Sequence, residues 1–323
     1  MKAAVLHQLG EVPRYEDFPD PIPEKGQLLI HMKAAAIKNL DKARASGRHY
    51  ASHRELPVVV GIDGVGLLED GRRVYTTGLS GMIAEKALIW PASALPIPEE
   101  LSDATAAALP NAVMGAALAL LHRAGLKAGM VVLVNGATGV TGRLAVQLAR
   151  FYGASRIIAT GRNTESLEKL KTLGADEVIS LRQDDEQISH QLKALHTATP
   201  IDVVIDYLWG RPMEVLLKTL TGSSVSHFSH PVRIVTVGSM AGESISLSSG
   251  SLRSSAIELL GSGLGSLSPE AFRQMNTEIL PNLFKLAASG KLEFETEVRP
   301  LSDVAAAWEE EIAPGQRLVI QIS

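Results

Sequence analysis

Hydrophobic and polar positions alternate in short runs over the first hundred residues. Residues 27–30 are apolar after the proline-rich, acidic stretch around Pro19, Pro21 and Pro23. Residues 58–60 are β-branched and stop at Gly61, and residues 73–75 follow an Asp70-Gly71 turn. Period-two runs bounded by such residues predict strands, here a twisted antiparallel sheet or partly open barrel. The rhythm changes near Leu101. Ser102 and Asp103 offer a helix cap before an alanine-rich apolar stretch, and residues 131–134 form a short continuous apolar run. Helical patterns at 143–152 and 165–173, the second closed by Gly174, then alternate with apolar runs at 157–159, 178–179, 203–205 and 234–237. Short fully apolar strands alternating with helices predict parallel βαβ units and a doubly wound α/β sheet. The last sixty residues break this rhythm. A helix over 269–289 closed by Gly290 is followed by extended segments near 294–298 and 318–322, with a helix over 302–311 between them and Ser302 as its cap. The Ser/Gly-rich stretch 244–255 reads as loop. The expected organisation is a first domain built from 1–110 and 265–323, with a nucleotide-binding domain, 111–264, inserted into it.

Composition narrows the chemistry. The 323 residues are 46% hydrophobic and 20% charged, ample for two cores. Thirty-one Lys and Arg against thirty-five Asp and Glu leave a formal net charge of −4, and only 4% are aromatic, so no nucleic-acid partner is expected. There is no cysteine. Disulfides, thiol nucleophiles, iron–sulfur clusters and thiolate zinc sites are excluded, and a cytoplasmic setting is expected. The apolar stretch 104–121 contains Pro110, Asn111 and Gly115 and reads as a buried helix rather than a membrane span, so no membrane partner is expected.

One motif carries chemistry. Residues Val131-Val132-Leu133-Val134-Asn135-Gly136-Ala137-Thr138-Gly139-Val140-Thr141-Gly142 read as strand, turn and helix start, with glycines at 136, 139 and 142. A dinucleotide diphosphate is held by backbone N–H groups at a helix N-terminus, approached closely where no Cβ intervenes. Gly136, Ala137, Thr138, Gly139, Val140 and Gly142 are therefore candidate cofactor residues. About twenty residues on, an NAD site carries a carboxylate for the ribose 2′-hydroxyl. This chain has Thr160-Gly161-Arg162-Asn163 there. With no carboxylate to repel it, a 2′-phosphate is accommodated and Arg162 can grip it, so NADP(H) is the expected cofactor, with Thr160 and Gly161 beside it.

With these motifs in place, the sequence resembles the zinc-independent quinone oxidoreductase branch of the medium-chain dehydrogenase/reductase superfamily. The resemblance is carried by the opening Met1-Lys2-Ala3-Ala4-Val5, by Ala35-Ala36-Ile37-Lys38-Asn39-Leu40-Asp41 and Gly47-Arg48-His49-Tyr50, and by Leu56-Pro57-Val58-Val59-Val60-Gly61-Ile62-Asp63-Gly64-Val65-Gly66. It continues through the glycine turn, Leu173-Gly174-Ala175-Asp176-Glu177-Val178-Ile179, Asp202-Val203-Val204-Ile205-Asp206 and Leu318-Val319-Ile320-Gln321-Ile322. It implies a Rossmann domain for the inserted segment and a GroES-like, partly open barrel for the catalytic domain. It also implies hydride transfer from NADPH to a quinone or an α,β-unsaturated carbonyl, and a homodimer paired through an edge strand near 257–264. Zinc-dependent relatives carry Cys in the segment that here holds Asn39 and Asp41, and His-Glu after the glycine that here is Gly61. Ile62 and Asp63 stand there instead, so no metal is expected. His227 and His230, three apart, are not expected to bind one. The resemblance makes Asn39 and Tyr50 the substrate-side candidates, with Tyr50 donating to the acceptor carbonyl. Asp41 is expected as a cap or salt-bridge partner and Asp63 as an anchor of its loop. Asn111, Leu208, Gly238 and Ser239 are expected near the nicotinamide end of the cofactor, and Arg317 is a weaker candidate for a phosphate contact. A short-chain dehydrogenase reading fails, because no tyrosine has a lysine four residues later. Two alternatives stay open: reduction of an enoyl thioester, and an NADPH-binding sensor or interaction protein with little turnover.

Overall fold

The computed structural model describes residues 1–49, 51–221 and 229–322. Tyr50 and His227 lie outside them. The chain divides into two compact units, one of Met1–Asn111, Leu280–Lys291 and Glu295–Ser323, the other of Ala112–Ile279 and Leu292–Phe294. The helical run that starts at Pro269 changes unit at Leu280, so the second unit extends past the boundary expected at residue 264.

The first unit is mostly antiparallel sheet. Its long strand, Leu28–Ala36, pairs antiparallel with Asp63–Leu68, Lys86–Ile89 and Gln316–Gln321, and the last of these pairs in parallel with Glu295–Pro300. A smaller three-stranded sheet is centred on Lys2–Leu6. Inward-facing residues at alternate positions, among them Ile30, Met32, Val74, Ile89, Leu318 and Ile320, make one core with Trp308. Two expectations for this region change. The helix placed at 302–311 is a 3₁₀ turn, Leu301–Asp303, followed by Val304–Glu309, with Asp303 rather than Ser302 at the cap. The helix over 269–289 contains a π-turn at Met275–Ile279.

The second unit holds six parallel strands: β1 (Val131–Asn135), β2 (Arg156–Gly161), β3 (Glu177–Ser180), β4 (Val203–Asp206), β5 (Val232–Thr236) and β6 (Ile257–Gly261). Their spatial order is 3-2-1-4-5-6. This is the doubly wound arrangement, in which ligands bind where the order reverses, at the carboxyl ends of β1 and β4. All five residues of β1 are buried, as a central strand covered on both faces requires. Helix α1 (Val140–Phe151) follows β1. Helix α2 (Thr164–Thr172) follows β2 and is capped by Asn163, whose Oδ1 accepts the Ser166 N–H at 2.8 Å. Part of the expected loop 244–255 is a short helix, Ser249–Arg253, capped by Ser248. The helical run Asp103–Arg123 is long and apolar enough to cross a membrane, yet 67% of its most apolar window is buried inside the structure. That burial is the pattern of a core helix.

Candidate functional site

The turn after β1 is built by close backbone approach. Gly136 has φ +86°, a left-handed conformation open to glycine, and a Cβ on it would lie 2.8 Å from Leu208 Cγ. Leu208, just past β4, thus packs over the first glycine of the turn. A Cβ on Gly142 would lie 2.5 Å from the Gly136 carbonyl oxygen and 2.6 Å from Ala137 Cα, so helix α1 comes this near the turn only because residue 142 has no side chain. Gly161, at the end of β2, receives the Thr138 methyl group in the same way. Gly139 differs from all three: no atom lies within 4 Å of where its Cβ would be. It caps α1 without a side chain, and the first-turn amides of that helix have no intrahelical acceptor. The open space beside Gly139, at the N-terminus of α1, is where backbone amides can meet a diphosphate.

Beneath the cradle lies a buried polar network that sequence reading did not find. Thr160 Oγ1 donates to Asn135 Oδ1 at 2.6 Å and accepts the Gly136 N–H at 3.2 Å. Asn135 Nδ2 donates to Asp206 Oδ1 at 2.7 Å. The Asp206 carboxylate also accepts the N–H groups of Leu208 and Trp209 and the Thr236 hydroxyl. The carboxyl ends of β1, β2, β4 and β5 are tied together by these four side chains. Burial pushes the Asp206 carboxyl above the usual range, against the pull of its hydrogen bonds. Trp209 has φ +55°, a strained conformation for a bulky residue that costs on the order of 1–3 kcal/mol. The Asp206 contact to its N–H is what holds it.

The other expected cofactor residues fall around this framework. Thr160 is buried with its hydroxyl spent inside the fold, and the Ala137 N–H donates to the Thr160 carbonyl, so both shape the turn from within. Arg162 is exposed just past β2 and makes no hydrogen bond or ion pair among the described residues. Gly238 and Ser239 follow β5. The Gly238 N–H reaches the Asp206 carbonyl, and the Ser239 hydroxyl donates to Glu243 Oε1 at 2.9 Å. Asn111 is half-buried within the helix Asp103–Leu118.

In the first unit, Asn39 opens the helix Asn39–Ala45 and is exposed, while the preceding residue points the other way. Lys38 is 1% exposed. Its Nζ donates to Asp63 Oδ1 at 2.6 Å and to the Ala36 carbonyl at 3.1 Å, and lies 3.3 Å from Asp41 Oδ2. Asp41 Oδ2 in turn accepts the Lys38 backbone N–H at 3.0 Å, making Asp41 both cap and salt-bridge partner, and Asp63 anchors the start of its strand. Burial pulls the Lys38 ammonium down, but the two carboxylates outweigh it and its pKa stands above the ordinary lysine value. Burial pushes the Asp41 carboxyl up against the pull of Lys38, and raises Tyr75, which faces Asp63. Arg317 lies within electrostatic reach of Asp41 and Asp63, its Nε buried without a hydrogen-bond partner, and burial pulls its guanidinium down against the two carboxylates. The residues present do not fit a zinc ion. An ammonium fills the place between the two carboxylates, and among the described residues no three or more His, Cys, Asp or Glu side chains gather as ligands.

Comparison with known proteins agrees with this geometry. A family model described as zinc-binding dehydrogenase matches residues 140–280. The quinone oxidoreductase of Sus scrofa is 32% identical over 270 residues, 80% of this chain and 78% of that protein. An Emericella nidulans protein named "Probable NADPH-dependent quinone reductase tdiC" is 30% identical over 95% of this chain and 96% of its own length. The solved quinone oxidoreductase from Thermus thermophilus, whose structures include a complex with NADPH, superposes with a TM-score of 0.79 at 27% identity, covering 99% of this chain and 100% of that one. With its sheet order, its glycine turn and matches that run almost from end to end, the chain belongs to the quinone oxidoreductase family of the medium-chain dehydrogenase/reductases.

Proposed function

We propose that the protein reduces a quinone or an α,β-unsaturated carbonyl with NADPH, without zinc. The observation that supports this most is the side-chain-free entrance to α1 at Gly139 in a chain that matches quinone reductases over most of its length. The first-turn amides of α1 hold the diphosphate, and the helix dipole favours its charge. Arg162, charged and uncommitted, takes the ribose 2′-phosphate. Leu208 and the backbone at Gly238 and Ser239 line the nicotinamide end, kept in place by Asp206. Asn39 orients the acceptor. The bound nicotinamide supplies the hydride, and a proton from water completes the reduction. An electron-poor acceptor needs no Lewis acid, so the chain's contribution is orientation and exclusion of water.

The test is NADPH oxidation with a panel of quinones, enones and enoyl thioesters. Turnover with quinones or simple enones is expected. Tight NADPH binding with no turnover on any member would replace this reading with the sensor, and turnover confined to thioesters would replace it with the enoyl-thioester reductase. Arg162→Glu is expected to raise the KM for NADPH at least about tenfold, the equivalent of 1.4 kcal/mol, with the KM for NADH nearly unchanged. Equal effects on the two coenzymes would remove Arg162 from the 2′-phosphate.

A homodimer is proposed through β6, the last strand in the sheet order, whose Leu259 and Leu260 are only half-buried. Light scattering at micromolar concentration is expected to show twice the chain mass, and a monomer there excludes this pairing.

A further inference from the structure

The Lys38 cluster is a buried charged feature of the first unit that hydride transfer does not use. Its partners come from separate elements: Lys38 and Asp41 from the strand-to-helix junction, Asp63 and Tyr75 from two neighbouring strands, Arg317 from the C-terminal strand. Lys38 is ion-paired with both carboxylates, and Arg317 lies within electrostatic reach of them. All three ammonium hydrogens have acceptors, on Asp63, Ala36 and Asp41. Lys38 therefore has no donor left for a substrate. One carboxylate oxygen of the cluster is unsatisfied. Asp41 Oδ1 is buried without a hydrogen-bond partner, on a side chain that is 3% exposed, and the Tyr75 hydroxyl faces Asp63. Oxygen-rich, water-excluded and partly orphaned surroundings of this kind are what a hard cation seeks.

We propose that Lys38 is the resident cation of this unit: its ammonium fills, between Asp41 and Asp63, a place that would otherwise accept a divalent metal ion, and so fixes the backbone that presents Asn39. This deepens the zinc-free part of the function proposed above and explains why an oxygen-lined pocket in this fold needs no metal. A tethered ammonium cannot be lost to a chelator, and it carries one charge where a metal would carry two.

The test compares wild type, Lys38→Ala and Lys38→Ala/Asp63→Asn. Each is titrated with Mn²⁺ and followed by loss of the free-ion spin-resonance signal and by melting midpoint. Wild type is expected to take up no ion and to melt unchanged. Lys38→Ala, left with an unbalanced buried carboxylate, is expected to melt several degrees lower, to take up one Mn²⁺ per chain, and to regain its midpoint when it does. The double variant, with the wild-type net charge but short of a ligand, is expected to regain stability without metal and to take up none. A folded Lys38→Ala chain that takes up no Mn²⁺, or a wild type that takes up one ion removed by Asp63→Asn, overturns the proposal. Should Lys38→Ala alone not fold, a double variant that folds supports the resident cation and one that is equally unstable overturns it. These readouts are metal uptake and melting, so this inference and the reductase reading fail separately.

Discussion

Gly142→Ala is expected to weaken NADPH binding by about 5- to 150-fold, whereas Gly139→Val is expected to weaken it at least as much without lowering the melting midpoint. The two glycines stand three residues apart and look alike in sequence. Their surroundings differ. A Cβ on Gly142 meets only backbone, the Gly136 carbonyl oxygen at 2.5 Å and Ala137 Cα at 2.6 Å, and backbone cannot rotate away. The helix must therefore retreat from the turn. Such overpacking costs about 1–3 kcal/mol, which sets the range of lost affinity and lowers the melting midpoint by a few degrees. A Cβ on Gly139 has no atom of the protein within 4 Å, so the fold has room for it, but it would stand where the diphosphate has to lie. Calorimetric titration with NADPH, paired with thermal melts of both variants, separates the two. Wild-type affinity in Gly139→Val would mean that the diphosphate is not held at this helix.

Asp206→Ala is expected to be the most destabilising single change in the second unit. The carboxylate accepts from Asn135 Nδ2, from the Leu208 and Trp209 N–H groups and from the Thr236 hydroxyl, and it is completely buried. Its removal strands several donors in a dry place, at about 1–3 kcal/mol for each one left unpaired, and frees the strained Trp209 turn. A total of about 3–5 kcal/mol corresponds to a drop in melting midpoint of about 6–20 °C for a unit of this size. Asp206→Asn keeps the shape and one acceptor oxygen and should lose less than half as much. Because Leu208 packs over Gly136, NADPH affinity should fall in both variants, in the order of their stability losses. A midpoint for Asp206→Ala within a degree or two of wild type would show that the network does not hold these strand ends together.

The parts of this protein that were legible in its sequence are the local ones. The continuous apolar run at β1, the glycines at 136, 139 and 142, the Ser102 cap before the alanine-rich helix and the absence of a carboxylate after β2 all act over a few residues. Backbone sterics and hydrogen-bond periodicity give such patterns the same meaning in any context. Asp41 was readable as a cap for the same reason, since its acceptor reaches back only three residues to the Lys38 N–H.

What lay outside that reach was decided by the tertiary structure. Lys38 stands beside the candidate Asn39, and no local pattern marks it for burial. It becomes a buried cation only when a residue 25 positions away is brought to its ammonium. Asn135 and Asp206 end two strands, and their bond joins residues 71 apart across adjacent parallel strands. Arg317, a phosphate candidate in the sequence, pairs in its strand opposite Thr296 and lies within electrostatic reach of two aspartates far from it in the chain. In each case the side chain's chemistry was visible in one dimension and its partner was not. The cost of burying an unpaired charge or polar group allows these side chains their positions only after the sheets have formed.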